Sequence, residues 1–262
     1  ISGFFIISML IVGSQINYMM QKDLGFDKEQ VLSVAVYNID NEYKKYQLTK
    51  DVLSKNKNVL EISSSMFVPG EGWVSGTSLR HKINDIDFNA ASNSVDHNYI
   101  NFSKIKVLKG RNFSKDIASD TINKIIINET AAKKLGIYNN PIGEILGIGW
   151  LEDDKPGFEV IGMVQDYHFD GFDAKIGPMF LVLWESFDFT KRWMPAIQFK
   201  IKSDNIDQTI AEIEGFWKQN VDAKYPFSYE FLDQKFAETY EKYEKQQTMF
   251  LILSILVILI SI

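Results

Sequence analysis

The sequence predicts an α+β domain closed by both ends of the chain, with a β-rich insertion between them and an apolar helix at each terminus. Three observations predict it. Strand–helix–strand patterning occurs near both ends, over 31–68 and 196–232. Short strand-like runs broken by polar turns fill 73–177. The termini are apolar: Ile1–Gly13 reads ISGFFIISMLIVG, the first charge is Lys22, and Met249–Ile262 reads MFLILSILVILISI.

Taken in order, the first helix is expected to run through Gln15, Tyr18, Met19 and Lys22. It stops at Leu24-Gly25-Phe26, with glycine at the left-handed cap position. Val31–Tyr37 (VLSVAVY) is rich in β-branched residues and reads as a buried strand. Asp40 or Asn41 caps a helix carrying Tyr43, Tyr46, Leu48, Val52 and Leu53. Val59–Val68 is a second strand, ended by Pro69-Gly70-Glu71-Gly72.

In the insertion, strands are expected at Thr77–Ile83, Ala90–Val95 and Ile105–Leu108. Ile125–Ile127 leads into a short helix, Asn128–Leu135, closed by Gly136. Strands around Ile145–Trp150 and Phe158–Val164 flank the acidic turn Glu152-Asp153-Asp154. The earlier pattern then resumes with strands Phe180–Trp184 and Ala196–Ile201. A helix from Asn205 buries Ile206, Ile210, Ile213, Phe216 or Trp217, and Val221, and Phe227–Leu232 is a last strand.

The final helix carries Leu232, Phe236, Tyr240 and Tyr243 on one face and mixed charges on the other, with local pairs such as Glu238–Lys242 and Glu241–Lys245. No proline or glycine interrupts it from Gln234 onward. The expectation is one truncated transmembrane helix at each end, because each apolar run is shorter than the roughly 20 residues a bilayer core requires. The charged domain between them then lies on one side of the membrane.

Composition narrows the function. The chain has 262 residues, enough for one large domain or two smaller ones. It has no cysteine, which excludes disulfides and thiolate metal sites. A net charge of −6 argues against nucleic acid as a partner.

Chemistry-bearing motifs are sparse. No G-x-x-x-x-G-K-[ST] loop is present, and Gly70-x-Gly72 lacks the third glycine of a dinucleotide fingerprint. His81, His97 and His168 have no metal-ligand spacing. Asp166-Tyr167-His168 is the best local candidate for acid/base work. The plainer reading, in which Asp166 caps backbone N–H groups and the aromatics pack, is preferred. Trp73, Trp150, Trp184, Trp193 and Trp217 share no spacing and read as core or interface residues. Glu152-Asp153-Asp154 reads as a solvated turn. The expectation is therefore a non-enzyme, with no catalytic, cofactor-binding or metal-binding residue and no cofactor.

Several runs resemble one family. ISMLIVGSQINYMMQKDLGFDKEQVLSV (Ile7–Val34) is similar to the opening of bacterial ABC-transporter permeases with a MacB-like periplasmic core domain and an FtsX-like membrane part. The likeness continues through LKGRNF (Leu108–Phe113), IIINETAAKKLG (Ile125–Gly136), NPIGE (Asn140–Glu144), FEVIGMVQDYHFDGF (Phe158–Phe172) and FSYEFLDQKFAETYEKYEKQQ (Phe227–Gln247). It covers essentially the whole chain, and its idiom resembles Bacteroidetes-type permeases.

The resemblance implies a two-lobed periplasmic domain. Residues 1–24 are helix and stalk, 25–72 and 178–232 form a porter-like lobe, 73–177 an inserted sabre-like lobe, and 233–262 the second stalk and helix. It implies placement in the bacterial inner membrane with the domain in the periplasm. The implied partners are a separate cytoplasmic ABC ATPase, a second permease half, and a periplasmic or outer-membrane protein. The implied role is to couple ATP-driven movement of membrane helices to export or to envelope mechanotransmission. Two rivals stand beside it: a sensor ectodomain of a two-helix receptor, and a membrane-anchored enzyme centred on Asp166 and His168.

Overall fold

The computed structural model describes residues 7–8, 10–15, 18, 23–36, 42–70, 75–149, 157–171, 174–186, 196–224 and 226–261. Trp73, Trp150, Trp193, Gly72 and the acidic turn at 152–154 lie outside these. Helical backbone is present at 7–8, 10–15 and 18, and Gly25 follows in the left-handed region at φ +84°.

The two ends of the chain build one unit. Strands β1 (Val31–Ala35) and β2 (Val59–Ser65) flank helix α1 (Glu42–Leu53). Strands β10 (Ala196–Ile201) and β11 (Tyr229–Phe231) flank α4 (Ile206–Asn220). They interleave as β11-β1-β10-β2 with every neighbour antiparallel, which is the split βαβ arrangement. Alternation explains why: Leu32 and Val34 on β1, and Ile197, Phe199 and Ile201 on β10, share a face. That face is covered by Tyr46 and Leu53 of α1 and Ile210, Ile213 and Trp217 of α4.

The face of α1 is narrower than the one expected. Tyr46 and Leu53 are buried as expected, with Thr49 between them at steps of three and four, whereas Tyr43, Leu48 and Val52 are exposed. Tyr43 still rests its ring on buried Trp184, 5.3 Å between centroids.

Between β2 and β10 the chain forms a closed ring of strands. These are β3 (Ser75–His81), β4 (Ile86–Val95), β6 (Lys124–Asn128), β7 (Ile145–Ile148), β8 (Phe158–Val164) and β9 (Met179–Leu183). They pair as β4-β3-β7-β8-β6-β9, and β9 returns to lie parallel to β4, which closes the circuit. β5 (Val107–Gly110) adds to β8. One face of the ring carries Ile125, Ile127, Phe158, Val160, Phe180 and Val182, joined by Ala131 and Ala132 of helix α3 (Glu129–Lys134) and by Leu135, which caps it. The other carries Ile126, Ile161, Val164, Leu181 and Leu183. Burial on both faces is why these strands read as continuous apolar runs.

Ring and split βαβ unit belong to one 11-stranded sheet. Among the described residues they join at a single pair, Ser65↔Val95, flanked by Met66 N–H to Ser94 O at 2.8 Å and Asp96 N–H to Ser64 O at 2.9 Å. Beside this joint, Asp96 accepts hydrogen bonds from the Tyr46 hydroxyl, from Ser63 Oγ at 2.7 Å and from Lys50 Nζ at 3.0 Å. Short helix α2 (Tyr99–Phe102), absent from the sequence reading, packs here with three buried side chains.

Helix α5 (Leu232–Ser261) leaves directly from β11 and is helical without interruption. Lys245 pairs with Glu241 at 2.8 Å as the i,i+4 spacing predicts. Among the described residues no helix is long and apolar enough to cross a membrane. The membrane spans expected at the two termini are therefore not shown by the fold.

Candidate functional site

Four segments distant in sequence meet at the base of α5. The first is the turn Leu24-Gly25-Phe26. Asp23 Oδ1 accepts the Gly25 N–H at 2.9 Å, and the positive φ of Gly25 lets its backbone lie against the loop after β8. A Cβ at Gly25 would sit 3.0 Å from Tyr167 Cβ and 3.2 Å from Asp166 O. The second is the end of the β2 segment, where Gly70 adopts φ +85° and a Cβ would stand 3.1 Å from the Phe236 ring. The third is the loop Asp166–Gly171. The fourth is α5 itself, whose Leu232 and Phe236 are buried.

Backbone bonds hold the loop to both turns: His168 N–H donates to Leu24 O and Gly70 N–H to Phe169 O, each at 2.8 Å. Aromatic rings fill the space between. Phe26 lies 5.7 Å from Phe236 and 6.1 Å edge-on from Tyr167, which lies 6.3 Å from Phe169. The Lys28 ammonium stands 5.5 Å over the Phe236 ring. Fully burying a side chain such as Phe236 contributes about 1.5–3 kcal/mol, so the helix base is rooted in the core.

The loop is fixed from its other side as well. Asp166 accepts hydrogen bonds from Thr130 N–H at 3.0 Å and Thr130 Oγ1 at 2.7 Å, in the first turn of α3. Tyr167 donates to Met179 Sδ at 2.9 Å, and burial pushes its hydroxyl pKa well above the usual tyrosine value, so it stays protonated. Asn128 uses its whole amide: Oδ1 accepts from Ala131 N–H and Met179 N–H, and Nδ2 donates to Gly177 O, all at 2.9 Å. Behind the loop lies a cavity of about 160 Å³ walled by Tyr167, His168, Phe169, Asn128 and Met179.

The residues singled out in sequence fall at separate places. His81, at the end of β3, meets Glu144 at 3.0 Å. His97 follows the joint; burial holds its pKa below the usual histidine value despite the Glu185 and Asp96 carboxylates. His168 is in the loop. Among the described residues no group of three His, Cys, Asp or Glu side chains is placed to hold a metal. Trp184 and Trp217 are buried. Sequence reasoning treated Gly25, Gly70, Asp166–His168 and Phe236 as unrelated features. Their shared signal was two glycine turns beside aromatic residues, which pattern alone cannot join.

Comparison with known proteins decides the family. The MacB-like periplasmic core domain profile matches residues 1–216. The chain belongs to this family.

Comparison with curated proteins gives no match. Among solved structures, the MacB-like fold recurs in the periplasmic region of MacB from Actinobacillus actinomycetemcomitans, at 16% identity and a TM-score of 0.59, covering 85% of this chain and 97% of that one. The extracellular domain of the noncanonic ABC-type transporter YknZ from Gram-positive bacteria is similar at 17% identity and a TM-score of 0.54, covering 76% and 98%. The chain thus carries a MacB-like periplasmic core domain and shares its fold with these two domains.

Proposed function

We propose that this MacB-like domain transmits movement of membrane helices, driven by a separate ABC ATPase, to the periplasmic face of the envelope. The observation that carries this reading is the rooted helix: α5 runs unbroken from Leu232 to Ser261, and its buried Phe236 packs against Phe26 and the Gly70 turn. A stiff rod anchored in a core moves that core when displaced. In this reading the terminal apolar runs are parts of transmembrane helices in the inner membrane, and residues 1–24 include the first stalk.

In this reading residues 25–72 and 178–232, which hold the split βαβ unit and β9, form the porter-like lobe, and 73–177 form the sabre-like lobe. A second permease half and an envelope protein complete the assembly. No catalytic residue is assigned to the domain. Family membership favours the permease over the two-helix receptor. The test is a Gly-Gly insertion after Tyr243 in the full-length permease, which softens the helix by about 1 kcal/mol per glycine. Transport is expected to fall to background while the ATPase subunit still copurifies at the normal ratio. Unchanged transport would overturn the reading.

A further inference from the structure

We infer that Asn93 pins the closed ring of strands and the split βαβ unit into one rigid body, so that a displacement entering at the helix base moves both parts together. This deepens the transmission reading and rests on it for its use, whereas the lock itself is a property of the fold.

The two parts meet along β2 and β4, which register at the pair Ser65↔Val95. The ladder runs on at both sides of it. Asp96 N–H donates to Ser64 O at 2.9 Å and Met66 N–H to Ser94 O at 2.8 Å. At the next residue the side chain of Asn93 takes the place of a strand. Its Oδ1 accepts the Phe67 N–H at 3.0 Å, and its Nδ2 donates to Phe67 O at 2.9 Å. A primary amide offers an acceptor and a donor side by side, as a peptide group does, so it satisfies both. Phe67 O also accepts from Ser65 Oγ at 2.9 Å, and Ser65 Oγ accepts from Gln198 Nε2 at 2.7 Å. One chain of hydrogen bonds thus crosses from β10 to β4, and its ends, Gln198 and Asn93, are 1% and 0% exposed.

A second tie lies three residues on. The Asp96 carboxylate, just after β4, accepts from Ser63 on β2 and from Tyr46 and Lys50 on α1, and Asn98 Nδ2 donates to Ile62 O at 3.2 Å. The apolar side of the joint is continuous as well. Val31 and Ala196 of the split βαβ unit share one cluster with Val95, Leu181 and Leu183 of the ring. A hinge is a place where a few residues absorb a change in φ/ψ. Turning this joint would instead leave several buried donors and acceptors without partners at once. Each part keeps its own core, and the seam makes the two move as one.

The chain has no cysteine, so spin labels on the domain go only where cysteine is introduced. Ile83 at the β3–β4 hairpin and Ile122 ahead of β6 are exposed on the ring, and Gln219 is exposed on α4. The Ile83–Gln219 and Ile122–Gln219 distances are measured as double cysteine variants in the assembled full-length permease with its ATPase, with and without ATP. Expected are narrow distributions whose means differ between the two states by less than the roughly 1–2 Å of ordinary helix shifts. Asn93→Ala in the same background, still folded by circular dichroism, is expected to add about 2–5 Å of spread to both and to lower transport. An ATP-dependent shift of about 2 Å or more in either parent distance overturns the inference, and that arm decides the matter even if the alanine variant does not fold. Distributions as narrow in a folded Asn93→Ala variant as in the parent also overturn it. Neither outcome touches the transmission reading, which the Gly-Gly insertion tests. Unchanged transport there, with both parent distances constant, removes the transmission reading and leaves the lock in place.

Discussion

The split βαβ unit and the closed ring bury their strands by different means. In the first, one sheet face is sealed by α1 and α4, and the opposite face carries buried polar groups, each satisfied, beside Val31 and Ala196. Gln198 donates to Ser65 Oγ at 2.7 Å, Ser65 donates to Phe67 O at 2.9 Å, and Ser63 bonds to Asp96. In the second, both faces are apolar, and the strands protect their own edges by closing on themselves. A polar buried face holds a fixed register because each group needs its partner. The difference teaches that the helix base, which leaves from β11 and lies against β1, is seated on the part whose buried polar face is held by directional bonds.

The comparison can be broken most forcefully in the cores. Phe180→Ala in the ring and Phe199→Ala in the split βαβ unit should each cost about 3–5 kcal/mol. Hydrogen exchange should then show loss of protection concentrated in β6, β8 and β9 for the first and in β1, β2 and β10 for the second. Equal loosening of both parts by either variant would mean that the two are not separable.

The joint comes next. Asp96→Ala removes a buried carboxylate that accepts from Tyr46, Ser63 and Lys50. A loss of about 2–3 kcal/mol in a urea titration is expected. Asp96→Asn should recover part of it. A midpoint unchanged by the alanine variant would deny the joint its polar lock.

The smallest effect is acid sensitivity, with one carboxylate on each side. Burial raises the Asp27 pKa, but hydrogen bonds from Lys104, Lys200 and the Glu29 N–H bring it below the usual aspartate value. Asp120 behaves likewise: burial raises its pKa and the Arg111 guanidinium, bonded at 2.6 Å to each oxygen, lowers it further. A depressed folded pKa means that the stabilisation is present above about pH 4 and is lost as pH falls through the folded value. Asp27→Asn and Asp120→Asn should each flatten the acid limb of a stability–pH curve, leaving stability at pH 7 lower than in the parent. An unchanged acid limb in either variant would remove that carboxylate from the account.

Most of the architecture was legible because its strands obey simple patterns. Phe158–Val164 and Ala196–Ile201 are found where the apolar runs predict them. Asn128 caps α3 through Oδ1 to Ala131 N–H, as the turn chemistry requires. β4 begins four residues earlier than expected, at Ile86, because its polar Asp87 and Asn89 pair across to β3 rather than marking a turn. The strand expected at Ile105–Leu108 instead runs from Val107 to Gly110, where a Cβ on Gly110 would collide with Ile161 O.

The aromatic junction was not legible. Phe26, Gly70, Tyr167 and Phe236 are brought together by topology, and no local periodicity encodes a meeting across so much chain. Asp96 was missed for the same reason. A lone aspartate after a strand looks like a turn residue until Tyr46 and Lys50 arrive from another element.

Inserting the ring between β2 and β10 also sets an order of assembly. Every strand of the ring lies between Ser75 and Leu183, so that part is complete as soon as this segment has been synthesised. β1, made earlier, pairs among the described residues only with β10 and β11, and Val31 must wait for Lys200. At synthesis rates of about 5–20 residues per second, β1 waits roughly 10–30 s for its ladder partner. The strand born first is thus among the last to be paired, and a nascent chain stalled after Leu183 would hold a finished ring beside an unpaired β1.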